Sequence, residues 1–469
     1  MKRLLFFSTI LAITAISCRK IEVDGDGTTV INPPPTGGGQ TINLSGKITK
    51  DTVLSAANTY ILKGPVYITN NAKITIEAGT TIKGQFTDPV GMLVITRGAK
   101  IEAKGTQDAP IVFTSASPVP KSGDWAGIVI LGKAKTNAVF NTVPGVGEIE
   151  GGVNDGDGNG LYGGTDDNDN SGILQYVRIE YAGFAFLPDK EVNSLTMGGV
   201  GKGTTIDHVQ VSYAKDDAFE WFGGNVNCNY LIAYKTQDDD FDTDAGFSGK
   251  IQFGLIVRDS AIADISRSEA FESDNDPNGT TTGPLTSPVF SNITAIGPKA
   301  TLANNGNSLY LAAVQIRRNS QLSIFNSVFL GWPIGILIDG SRGRPTDLNI
   351  NDSTLRIRNT IIAGSTAGNA IKYTVSTSAP TGASDASIIN WFNTPFFGNT
   401  IYSLNDDAKF VNPFNFSSID PTPFGTSPAA TGAAFTDPKL AGFKSVTFRG
   451  AIAPGGADAT WWKGWTRFN

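Results

Sequence analysis

From about residue 44 onward, apolar and polar positions alternate in short runs broken by Gly, Asn and Asp. Val66-Tyr67-Ile68 is followed by Ile74-Thr75-Ile76, then by Gly79-Thr80-Thr81-Ile82. Leu93-Val94-Ile95, Gly98 to Gly105 and Pro110 to Ser115 continue the series. Alternation with period two predicts half-buried β-strands, and turn residues at close intervals make them short and numerous. No stretch carries a convincing helical period. The chain exceeds an ordinary single domain, but a solenoid extends one core indefinitely.

Farther along, the repeat becomes explicit. Residues 216–222 read Asp-Asp-Ala-Phe-Glu-Trp-Phe, 238–244 read Asp-Asp-Asp-Phe-Asp-Thr-Asp, and 268–274 read Ser-Glu-Ala-Phe-Glu-Ser-Asp. Phe219, Phe241 and Phe271 therefore fall in register, at a spacing that suits one β-helix coil with a loop insertion before the third. Asn292, Asn326 and Asn359 recur at equivalent turns, where an amide can bond its neighbours above and below. With coils about 4.8 Å apart, about a dozen make a rod on the order of 55–60 Å long.

This succession resembles the pectin-lyase-like right-handed parallel β-helices. Residues 148–258 also resemble a β-helical lipoprotein family common in Bacteroidota. The matching text is Glu150-Gly151, Tyr162-Gly163-Gly164, Asp169 to Gly172, Tyr176 to Tyr181, Glu191 to Thr196, Gly198 to Gly201 and Asp216 to Gly224. The ending Phe448 to Ala451 with Gly464-Trp465-Thr466 is similar to that family's terminal pattern. The resemblance implies an all-β, single-domain parallel β-helix with long loops; it supplies no catalytic residue. The expected layout is a signal peptide over 1–17, a lipidated cysteine and tether over 18–43, a β-helix over 44–374, and C-terminal coils, loop and cap over 375–469. The aromatic tail Trp461-Trp462-Lys463-Gly464-Trp465 is expected to cover the last coil.

The N-terminus adds a location. Lys2 and Arg3 precede the apolar stretch Leu4 to Ile16, the layout of a secretory signal too short for a comfortable membrane span. Ala15-Ile16-Ser17-Cys18 resembles the bacterial lipobox, which makes Cys18 the acylated first residue of the mature chain. Asp24-Gly25-Asp26-Gly27, Pro33-Pro34-Pro35 and Gly37-Gly38-Gly39 then read as a tether. Glu22, Asp24 and Asp26 loosely resemble an acidic surface-export signal. The expectation is an outer-membrane lipoprotein, at the cell surface or facing the periplasm, with the membrane as partner through its anchor.

Composition narrows the chemistry. The formal charge is −6 and no basic cluster exists, which makes nucleic acid a poor partner. Cations and neutral or basic ligands suit it better. Only Cys18 and Cys228 occur, so acylation of the first leaves no intramolecular disulfide, and Cys228 reads as a small buried hydrophobe. The single histidine, His208, sits in a strand-like alternation and reads as structural.

Two acidic motifs are candidate sites. Asp155, Asp157, Asn159 and Asp166 fit the spacing of a calcium loop, with Gly160 at its sharp turn; the competing reading is a solvated Asp/Gly turn. The acidic ladder comprises Asp217, Asp239 and Glu269, with Glu220, Asp242 and Glu272 beside it and facing outward. Like charges at strand spacing repel unless compensated. Lys215, Lys235, Arg258 and Arg267 lie nearby in sequence. The ladder reads as turn-stabilising pairs, as a calcium or cationic-ligand groove, or as a catalytic carboxylate pair. Trp391, Phe392, Phe396, Phe397, Phe410, Phe414, Phe416 and Phe424 crowd a Ser/Pro/Gly-rich region, either to pack a long loop or to stack on sugars.

These features favour an envelope lipoprotein that binds an extracellular ligand, a glycan foremost, along one β-helix face, with Ca²⁺ as the candidate cofactor and no organic one. The alternatives are a calcium-assisted polysaccharide lyase or glycoside hydrolase, and a structural or adhesive spacer. The anchor is the part tested most simply: Cys18→Ala abolishes palmitate labelling and releases the protein from the membrane fraction. Retained labelling would contradict the assignment.

Overall fold

The computed structural model describes residues 39–187, 190–304, 306–366 and 368–468. The signal segment, Cys18 and most of the tether lie outside the described residues. One continuous sheet of 26 strands winds through the body, and every pairing in it is parallel between successive coils. The first strand, Thr41–Ile48, begins just ahead of the expected boundary at 44, because Thr41 to Leu44 already pair with Thr59 to Leu62.

Each coil lays down three faces, well seen in the middle of the rod. Thr205–Ser212 contributes residues 205–207 to face one and 209–212 to face two, and Phe219–Phe222 contributes face three. The next coil repeats this with Asn227–Tyr234 and Phe241–Asp244, residue opposite residue. Alternation turns one set of side chains inward. On face one Leu174, Ile206, Cys228, Ile251, Phe290 and Ile324 stack in register, each at most 1% exposed. Cys228 is buried as expected, and burial pushes its thiol up to about 12, which leaves it unreactive. On face three Leu195, Phe219, Phe241 and Phe271 stack likewise, with Phe219–Phe241 and Phe241–Phe271 ring centroids 5.6 and 5.4 Å apart. The phenylalanine register read from the repeat is the register of the fold.

Faces one and two meet at a corner that the alternation pattern conceals. Tyr176, His208, Tyr230, Phe253, Asn292, Asn326 and Asn359 each interrupt the pairing with φ between 50° and 63°. His208 thus lies within the strand Thr205–Ser212, as its alternation implied, and forms the corner of that strand. Non-glycine residues adopt this left-handed conformation only where surroundings enforce it. Here strand pairing on both sides fixes the turn, and rings stack across it. Tyr176–His208, His208–Tyr230 and Tyr230–Phe253 centroids are 4.4, 4.3 and 4.9 Å apart.

The C-terminal tail covers this corner, and so corrects the expectation that it caps the last coil. It runs backward along the rod. Ala434 N donates to Asn326 Oδ1, Asn292 Nδ2 donates to the Phe448 carbonyl, and Gln210 exchanges two bonds with Arg467. Two of the corner asparagines therefore bond the tail as well as their neighbours. Trp461 and Trp465 stand edge-on to His208 at 6.1 and 5.7 Å. The helix Asp385–Phe392 packs instead against the late strand Ile371–Thr374, with Ile388 and Phe392 buried in the main core. Most of the crowded aromatics pack in this way; Phe396 and Phe424 stay exposed.

One ion pair lies wholly inside. Arg258 and Asp240 are 3.2 Å apart with no exposure of either side chain, and the guanidinium lies 5.1 Å from the Tyr310 ring centre. Burial raises the Asp240 carboxyl to about 6 even beside Arg258. Asp240→Ala leaves a buried, unpaired guanidinium and is expected to cost about 3–5 kcal/mol in denaturant unfolding. Adding Arg258→Met should recover most of that loss; equal instability of the single and double variants would contradict the role of the pair.

Candidate functional site: a carboxylate strip on face three

The inward phenylalanines of face three oblige the residues between them to point outward. Glu220, Asp242 and Glu272 consequently stand in register, continued by Thr196 at one end and Gln315 at the other. Just before each strand lies a second row, Asn193, Asp217, Asp239 and Glu269. Its members capture the next coil: Asp217 N donates to Asn193 Oδ1 at 3.1 Å, Asp239 N to Asp217 Oδ1 at 2.9 Å, and Glu269 N to Asp239 Oδ1 at 2.6 Å. Through Asn193, Asp217 and Asp239 this row serves the scaffold.

Carboxylate oxygens converge between the rows. Asp217, Glu220 and Asp242 place ligand atoms within 4.8 Å of one another, and so do Asp216, Asp217 and Asp238, and Asp239, Glu269 and Glu272. All six ladder residues read from the sequence are brought together, and Asp216 and Asp238 join them. The strip is more enclosed than outward alternation implies: Asp217, Glu220, Asp239 and Glu269 are 7% exposed or less. Glu150 and Tyr162, from the long segment between residues 132 and 171, lie close enough to act on the strip electrostatically.

Compensation is uneven. At one end Arg317 pairs with Glu272 and, at 2.9 Å, with Asp274, and Arg318 reaches Asp274 at 2.5 Å. With its amide nitrogen turned toward the acids, Gln315 donates to Glu269 and Glu272 at 3.0 and 3.3 Å. Among the nearby cations expected from sequence, Arg258 is committed to Asp240 and Lys235 to Asp259. At the other end Glu220 accepts from Asn193, but Asp242 Oδ1 is shielded from solvent with no hydrogen-bond partner. Burial first, and the neighbouring carboxylates second, raise Asp217, Glu220, Asp239 and Asp242 well above the usual range. The same causes bring Asp244 to about 7, and burial brings Asp238 there.

Beside Asp244 the surface opens into a cavity of about 600 Å³ walled by Phe140, Tyr162, Phe222 and Thr282. It combines aromatic surface with a carboxylate. Its walls come from segments far apart in the chain, so no local motif announced it.

The calcium-loop expectation fares differently. Asp155 accepts from Asp157 N, Asn159 N and Asn159 Nδ2, and Lys47 Nζ lies 2.9 Å from Asp155 Oδ2 and also pairs with Asp157. An ammonium thus occupies the charge-compensating position, and Asn159 turns a donor rather than an oxygen inward. Burial opposes ionisation of Asp155, but the bonds from Asn159 and Lys47 prevail and hold its carboxyl at about 2. Asp166 accepts instead from Asn168 N in its own turn. Among the described residues, no cluster of three His, Cys, Asp or Glu side chains includes Asp155, Asp157 or Asp166.

A model of the pectate-lyase-like beta helix domain matches residues 46–393. No curated relative and no solved structure matches the chain.

Acids whose folded pKa is raised stabilise the fold below their unfolded pKa, and that stability is lost as pH rises through the folded value. For Asp238 and Asp244 the window runs from about pH 4 to about pH 7. In EDTA, the thermal midpoint should therefore fall by several degrees between pH 5 and pH 7.5, and Asp242→Asn should flatten the decline. A midpoint that rises over this interval would contradict the strip's electrostatics.

Proposed function

We propose that this chain, which belongs to the pectate-lyase-like β-helix family, is an envelope lipoprotein that binds carbohydrate on face three through a divalent cation held by the carboxylate strip. The observation that carries the reading is the convergence of Asp217, Glu220 and Asp242 within 4.8 Å around a buried, unpartnered Asp242 oxygen. Calcium takes oxygen ligands at about 2.3–2.6 Å, so two ligands on opposite sides of one ion are about 4.8 Å apart. The donors are all carboxylates, which select a hard cation such as Ca²⁺, Mg²⁺ or Mn²⁺ over zinc or copper. His208 at its corner and Cys228 in the core contribute no softer ligand.

A protein ion of this kind keeps coordination positions for ligand oxygens, and sugar hydroxyls or carboxylates fill them. The adjacent cavity supplies Phe140, Tyr162 and Phe222 for the apolar face of a sugar ring. The Cys18 lipobox supports the envelope location. A glycosidase uses two carboxyl groups about 5–5.5 or 6.5–9.5 Å apart; three acids that each turn an oxygen to a common point suit an ion better. Asp238 and Asp244, poised at about 7, are the groups to examine if a bound glycan is turned over.

Calcium at 100 times its Kd stabilises a fold by about 2.7 kcal/mol. At pH 7.5 the wild type should thus gain a few degrees on replacing EDTA with calcium, and little at pH 5, where protons compete. Asp242→Asn should raise the midpoint in EDTA by about 1–3 °C and lose the calcium response. A glycan array read in calcium and in EDTA should give hits in calcium alone. A wild type indifferent to cations, or a variant destabilised in EDTA, would make the strip scaffold and the protein a spacer.

A further inference from the structure

Face one carries a second groove, unrelated to the acids of face three. It occupies about 480 Å³, within the range of small-ligand sites, between the outward residues of successive coils and the tail loop 441–443. The residues that give it chemistry are Lys202, Asn225, Asn227, Asn229, Lys250 and Phe443. No carboxylate lines it, although the chain has 43 acidic residues against 37 basic ones.

Its donor character follows from the coil repeat. Cys228 points into the core, so Asn227 and Asn229 point out. Asn225 Oδ1 accepts from the backbone N–H of Lys202 at 2.9 Å, and Asn227 Oδ1 accepts from that of Lys250 at 3.0 Å. With both oxygens engaged in holding the coils, these amides present their NH₂ groups to the groove. Lys250 Nζ bonds the Ala441 carbonyl and lies 5.7 Å from the Phe443 ring centre, which fixes both cation and ring. Gln252 secures the same loop through two bonds with Lys444, at 2.7 and 2.8 Å. Asp207 pairs with His208, and Asp167 pairs with Lys135 at 2.7 Å while also lying within electrostatic reach of Lys202. Lys202 is exposed and, among the described residues, makes no ion pair.

We propose that this groove is a second binding site, for a sugar unit bearing a carboxylate. Donors without matching acceptors favour an acceptor-rich ligand. The lysines favour a negative charge, and the Phe443 ring offers a face for the C–H surface of a pyranose. The site uses no metal ion, so it stands or falls separately from the carboxylate strip.

Calorimetry on the full chain in EDTA tests it, with a glucuronate-containing tetrasaccharide and the methyl ester of the same tetrasaccharide as probes. The acid form should bind saturably and the ester at least ten-fold more weakly. Lys202→Gln, at an exposed position, should weaken the acid form about five-fold with an unchanged thermal midpoint, while Asp242→Asn leaves binding intact. Absent binding, equal affinity for acid and ester, or indifference to Lys202→Gln would overturn the proposal.

Discussion

Parallel pairing of one coil on the next, in register and at about 4.8 Å, is the constraint from which everything else in the molecule follows. It sets each side chain directly over its counterpart one turn earlier. For apolar residues this compounds favourably, and Phe219, Phe241 and Phe271 become a continuous wall. For the aromatic corner it turns a conformational cost into a stack, with His208 between Tyr176 and Tyr230. For carboxylates the same geometry is adverse, because it sets like charge over like charge in a partly desolvated setting.

The strip on face three meets that problem in different ways along its length. Asp217 and Asp239 spend an oxygen on the backbone N–H of the following coil. Glu272 and Asp274 pair with Arg317 and Arg318, although burial still raises the Glu272 carboxyl well above its usual range. Among the described residues, Glu220 and Asp242 have no arginine or lysine in ion-pair contact, Arg317 acting on Asp242 only at longer range, so this stretch has the greatest need of a cation. Structural and functional readings of the ladder therefore apply to different residues, and Glu220 and Asp242, with one oxygen of Asp217, are those proposed to hold the cation.

Much of this was legible in the sequence because it is local and periodic. The alternation, the phenylalanine register and the in-register acids all depend on neighbours within one coil. The failures share a cause: long-range partners. The Asp155 loop has calcium spacing, but Lys47 comes from the first strand to occupy it. Arg317 compensates Glu272 from a later coil. His208 is a strand residue as the sequence implied, but the left-handed corner it makes depends on rings in the neighbouring coils and in the tail. The tail's tryptophans look like an end cap, yet Gln210 and Asn292 draw the tail back along the flank.

The central claim is that Asp217, Glu220 and Asp242 together hold an ion. Its most direct test is a crystal structure of the protein grown with Mn²⁺ at pH 7.5, with anomalous difference density computed at the manganese edge. The account predicts a peak among Asp217, Glu220 and Asp242, with oxygen ligands and room for a ligand or waters on the solvent side. A strip free of anomalous density, or a peak at Asp155 and Asp157 instead, would contradict it.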